Sequence, residues 1–192
     1  VNDLAGSSKP WKFMFLHEPG WSAGGGHENN ATVQTVLEPL CEQYNVAVVF
    51  AGHNHYYARA VVPAANGKTI QHVTAGAAGA PLYTPNSGYP YIVSAVSSHH
   101  FCKINIVNNY VLQFEARSNT GMLLDNFTID RTPSIAFSNI QATNISFTTA
   151  TITWTTDIAS SSDVDYGTTF SYGMTASGQG GVTNHTVQLS GL

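Results

Sequence analysis

Residues 46–51 (VAVVFA) are uncharged and β-branched, and they run straight into Gly52-His53-Asn54-His55. Such a run reads as a buried strand. Residues 11–16 (WKFMFL) predict a second buried strand. Between the two, residues 30–44 place Val33, Val36, Leu37, Leu40, Cys41 and Tyr44 at the spacing of a helical stripe. Pro39 falls inside it and should kink the helix or leave a bonding defect. Strand, helix and strand in about forty residues predict an α/β core. Downstream the pattern turns to strands. Residues 60–63 and 69–75 flank Asn66-Gly67, a hairpin signal. Residues 101–107 and 110–116 flank Asn108-Asn109 in the same way, and 122–129 can add another strand.

Composition shifts near Arg131. All seven Lys and Arg and seven of the eight His lie in residues 1–131. Residues 132–192 carry no Lys or Arg, and more than a third of them are Ser or Thr. A domain boundary is expected at Thr132-Pro133. Residues 134–141, 150–156, 162–166 and 183–189 then predict a small all-β sandwich, short of the strands a complete one needs. Charged residues make up 9% of the chain and the formal charge is -4. Scattered basic residues argue against a nucleic-acid partner. No apolar run approaches the length of a membrane span. Cys41 and Cys102 leave open one disulfide or two free thiols. Sequons at Asn30, Asn126, Asn144 and Asn184 suggest an exported glycoprotein.

His53 and His55 follow the buried strand at its carboxyl end, where α/β sheets gather their sites. Two imidazoles two residues apart can face one metal or two adjacent metals. Two solvated turn histidines fit the spacing equally. His17 ends the residues 11–16 strand, in FLHEP. If the two strands are parallel neighbours, His17 and His53 emerge at the same sheet edge. Three neutral imidazoles converging there would suit a transition metal.

FLHEP, followed after a helix by GHNHYYAR, resembles the calcineurin-like metallophosphoesterases, and among them the purple acid phosphatase branch. DLAGSSKPWKFMFLHEP is similar to the approach to the family's histidine motif, and TAGAAGAPLY to its Gly-rich segment. FCKINIVNNYVLQFEARSNTGMLLDNFTI is similar to its closing hairpins. The resemblance covers residues 2–131 and implies, for 1–131, the C-terminal half of a metallophosphoesterase α/β sandwich. By the same resemblance His17 and His53 are ligands of the second metal and His55 a ligand of the first. His27, ten residues past His17, is implied to contact the phosphate or protonate the leaving group. Tyr57 and Arg59 match the family; Ala58 stands where it often has Glu, and Asn54 falls at a variable position. The implied activity is hydrolysis of phosphate esters through a metal-bound hydroxide by a secreted enzyme. It would use two divalent or trivalent ions of the Fe, Zn or Mn class. Residues 132–192 resemble a partial fibronectin type III module, with ATITWTT as its Trp-bearing strand and HTVQLSGL as a later one.

The family's Asp-x-His motif, bridging Asp and Asn-His pair have no counterpart here. The chain is therefore expected to be an internal fragment, inactive alone. Its missing ligands would come from an upstream half of the same domain, or from neighbouring chains that complete the fold. Two other readings compete. GWSAG, residues 20–24, fits Gly-x-Ser-x-Gly and would make Ser22 a hydrolase nucleophile, although Gly25, Gly26 and His27 delay the helix such an elbow needs. Low charge, abundant Thr and Asn, and two incomplete domains would also suit a non-catalytic subunit of an extracellular assembly or filament. Gly-Lys-Thr at 67–69 is no phosphate loop, because Val62 stands where glycine is required and the setting is a hairpin.

Overall fold

The computed structural model describes residues 2–65 and 67–192, in two compact units that meet in sequence at Thr132 and Pro133. In the first unit a short helix α1 (Asn2–Gly6) precedes β1 (Phe13–Phe15). A π-helical turn, Val33–Leu37, leads into α2 (Glu38–Gln43) and then β2 (Val48–Ala51). β3 (Tyr57–Pro63), β4 (Thr69–Ala75) and β5 (Ile92–Val96) complete a five-stranded sheet in the order β1-β2-β4-β3-β5. β1, β2 and β4 are mutually parallel, and β3 is antiparallel to both its neighbours. β6 (His100–Ile106), β7 (Val111–Ser118) and β8 (Leu123–Asp130) form a separate antiparallel sheet.

Strand alternation explains how the sheets pack. Val48 and Phe50 of β2 face Leu112, Phe114 and Ala116 of β7, with Trp11, Tyr57 and Val73 in the same buried cluster. Val46 and Val49 join Cys41 and Ile70, with Leu4, Met14 and Leu16 packed around them. β2 is thus covered on both faces, as its uninterrupted apolar run requires.

Three expectations need correction. β1 is not a buried strand: it pairs with β2 alone, and Phe15 is 75% exposed while stacking on Phe50. The single helix over 30–44 is broken. Pro39 has no N–H to donate, and the preceding turn widens so that the Glu38 amide reaches Val33 O, five residues back. The sequence pattern also passed over β5, whose Ile92–Val96 stretch is only half-buried. The expected hairpin is present as β3 and β4, but Asn66 of its turn lies outside the described residues, as does Val1. Both cysteines are free, and burial pushes each thiol up to about 12, which makes both inert at neutral pH.

Side chains tie these layers together. Tyr57 OH donates to Asp125 Oδ2 (2.7 Å), and Arg59 grips the same carboxylate through Nε (2.6 Å) and Nη2 (3.1 Å). Glu38 meets His72 Nε2 at 2.9 Å in a buried pair under the Trp21 ring. His100, at the start of β6, sets its ring edge on Tyr57 and donates from Nδ1 to Ser98 O (2.9 Å). Burial holds His100 below the usual histidine value despite that bond. The unfolded chain takes up this proton near the ordinary 6.5 and the folded chain only at lower pH. Stability from this group is therefore complete above about pH 6.5 and declines as pH falls toward the folded value. His100→Gln should flatten that acid limb in urea titrations run at stepped pH; an unchanged slope would assign the limb to other groups.

The second unit contains β9 (Phe137–Thr143), β10 (Thr149–Ser160), β11 (Asp163–Tyr166), β12 (Met174–Ser177) and β13 (Val182–Ser190). β10 lies between β13 and β9, and β11 pairs with β12. Trp154, Val187 and Leu189 form its buried core. His185 stacks flat on Trp154, held by Ser162 Oγ (2.7 Å) and Thr156 Oγ1 (2.8 Å). Among the described residues, no helix is long and apolar enough to cross a membrane.

Candidate functional site

The parallel pairing of β1 and β2 continues past both strands. Leu16 N donates to Phe50 O and Gly52 N to His17 O, each at 2.9 Å. His17 and His53 therefore leave the sheet side by side, with His17 Nε2 and His53 Nδ1 3.1 Å apart. His53 adopts φ 63, a left-handed turn that brings its ring back over the sheet edge. The His27 ring stacks on it at 3.7 Å between centroids. Burial, with the neighbouring His27 and His17, holds His53 below the usual histidine value. Neutral imidazole is the form that ligates metal.

Donors bound at roughly 2.1 Å to one cation sit roughly 3.0–3.4 Å from each other. The His17–His53 pair fits that spacing. It does not close around a cation, however. Among the described residues no three His, Cys, Asp or Glu side chains converge on one point. The expected convergence of three imidazoles is thus a pair plus His55 at one side. His55 Nδ1 donates to Pro81 O (2.9 Å), which leaves Nε2 with its lone pair. Its ring lies on Tyr83 at 4.3 Å.

A strap of residues 81–89 binds the two histidine loops to each other. Tyr83 N donates to His55 O (3.0 Å), Asn86 N to Ala23 O (2.7 Å), and Ser97 Oγ to Tyr83 O (2.8 Å). Gly25, at φ 73, passes so close under the strap that a Cβ there would lie 1.9 Å from Thr84 O. Only glycine fits that crossing.

Ser22 is not placed to be a nucleophile. It is 1% exposed, donates from Oγ to His27 O (2.6 Å), accepts from Gly24 N (2.9 Å) and lies 3.0 Å from Tyr56 OH. Its proton is committed to a backbone carbonyl rather than to an imidazole. Tyr57 and Arg59 likewise turn into the core, onto Asp125. Glu18 accepts from Asn30 Nδ2 (2.5 Å).

Sequence reasoning missed Asn54 and Tyr83. Asn54 is fully buried between the two loops, and Tyr83 stacks on a histidine 28 positions earlier. Position within His-Asn-His was the sole local hint for the first. Nothing local marked the second.

No protein-family profile matches the chain. A soybean (Glycine max) purple acid phosphatase is 39% identical over 51 residues, 26% of this chain and 11% of that protein. The purple acid phosphatase PPD1 from yellow lupin (Lupinus luteus) seeds superposes with a TM-score of 0.59 at 24% identity, over 67% of this chain and 27% of that one. GAP50, the anchor in the inner membrane complex of Plasmodium, superposes at 0.52 with 15% identity, over 69% and 40%. The chain thus spans about a quarter of the lupin structure it resembles. Its fold is purple acid phosphatase-like, mixed α/β with mostly strands.

Proposed function

We propose that this chain carries part of the active site of a secreted metal-dependent phosphoesterase, one that hydrolyses phosphate esters. The observation that carries the reading is the His17–His53 pair, 3.1 Å apart at a sheet edge, with His27 stacked upon it. His17 and His53 would hold one cation, and His55 Nε2 would serve a second of the Fe, Zn or Mn class. Carboxylate ligands would complete the site from outside this cluster, from an upstream half of the same domain or from a neighbouring chain. Bound there, the cations would supply Lewis acidity toward phosphoryl oxygens.

The chain's own groups do the rest. His27 is exposed, so its imidazole can donate to a phosphoryl oxygen or give a proton to the leaving oxygen. The Pro81 carbonyl fixes His55 in the tautomer that offers Nε2. Four sequons support an extracellular setting. Residues 133–192, with buried Trp154 on β10, support a fibronectin type III-like module that follows in the chain.

Metal-loaded protein of full natural length should cleave a phosphomonoester or a phosphodiester, and absence of both activities sinks the reading. His27→Ala should lower kcat by about 10²–10⁴-fold with metal content unchanged. Loss of metal in that variant would make His27 a ligand instead.

A further inference from the structure

We infer that Asn54 is the positioning residue for His27, acting through the backbone of the glycine loop. This rests on the reading that His27 acts at the phosphate. The loop before His27 is Gly24-Gly25-Gly26, with positive φ at the first two, and it has no side chains of its own to pack. A chain so unconstrained needs fixing from outside.

Asn54 supplies that fixing from the middle of the Gly52–His55 turn. Its Oδ1 accepts from His27 N (2.7 Å), and its Nδ2 donates to His27 O (3.0 Å) and to Ser22 Oγ (3.0 Å). The amide orientation follows from chemistry, since an N–H must face the oxygen and a carbonyl must face the nitrogen. One buried side chain thus grips both polar backbone groups of the residue whose ring stacks on His53. The same segment supplies His53 and His55, so Asn54 ties the residues that would hold the metals to the one that would donate the proton. Gly76 packs beneath it: a Cβ there would lie 2.3 Å from Asn54 O, which keeps the turn from shifting.

The isosteric Asn54→Asp is the discriminating change. It retains an acceptor for His27 N but loses both donations, and it sets a carboxylate oxygen against His27 O. Displacement by about an ångström costs roughly 10²-fold in turnover for a positioned group. In the metal-loaded full-length protein, with p-nitrophenyl phosphate as probe, N54D should lower kcat by about 10²-fold at unchanged metal content. The N54D/H27A double variant should be no slower than H27A alone, because a residue acting through His27 has nothing left to act on. Multiplied effects, or unchanged kcat in N54D, would overturn the assignment. Amide hydrogen exchange gives a second reading that needs no turnover. The His27 amide should exchange faster in Asn54→Ala, which removes its acceptor, while those of Val48 and Phe50 do not change. Accelerated exchange in a protein without phosphoesterase activity would sink the proposed function and leave the positioning of His27 standing. Unchanged exchange at His27 would overturn the positioning whatever the activity.

Discussion

Under the proposed function, His53→Asn is expected to weaken binding of the cation that His53 would share with His17 and to lower kcat/KM of the metal-loaded, full-length protein by at least about 10³-fold. Lewis-acid stabilisation of phosphoryl transfer is worth several kcal/mol, and each ~1.4 kcal/mol is a factor of ten. The effect is large because His17 would lose the imidazole 3.1 Å from its Nε2 and His27 the ring on which it stacks. Asparagine is the better replacement than alanine. Residue 53 sits at φ 63, a conformation asparagine tolerates, so ligand loss is separated from backbone strain. Metal quantification beside steady-state kinetics checks it. Full metal retention with full activity would remove His53 from the ligand set.

Asp125→Ala should cost about 3–5 kcal/mol of unfolding free energy, the usual result of removing one partner of a buried pair. The Arg59 and Asp125 side chains are 13% and 11% exposed, so little water reaches the cation left behind. Arg59 would keep Gln71 Oε1 (3.0 Å) and the face of Phe127, 4.9 Å from its guanidinium carbon, but no carboxylate. Tyr57 OH would lose its acceptor as well, and burial already holds that phenol well above its usual value. Asp125→Asn, which keeps an acceptor oxygen, should cost clearly less. Urea unfolding of the three proteins gives both numbers. A difference below about 0.5 kcal/mol for Asp125→Ala would mean that this tie between β3 and β8 is not a source of stability.

The sequence by itself determined which segments had to be interior. Residues 46–51 are uncharged and rich in valine, so burial of the strand was legible without coordinates, and so was the turn that ends it on His53 and His55; that both faces are covered came from the packing. The hairpins β3–β4 and β6–β7 were legible for a similar reason, because turn chemistry and strand alternation are local properties. What faces what was not local. β1 reads as apolar, yet its place at the edge of the sheet leaves Phe15 exposed, and edge position depends on which strands pair. β5 has an undistinguished sequence and became a strand because β3 offered it a hydrogen-bonding edge. Ser22 looked like a nucleophile by motif, and only three-dimensional packing turned its hydroxyl onto His27 O. Tertiary structure alone likewise joined Asn54 to His27, 27 positions apart, and Tyr83 to His55. Hydrophobic periodicity records how a residue meets solvent; hydrogen bonds between distant loops depend on loop paths, which no single segment encodes.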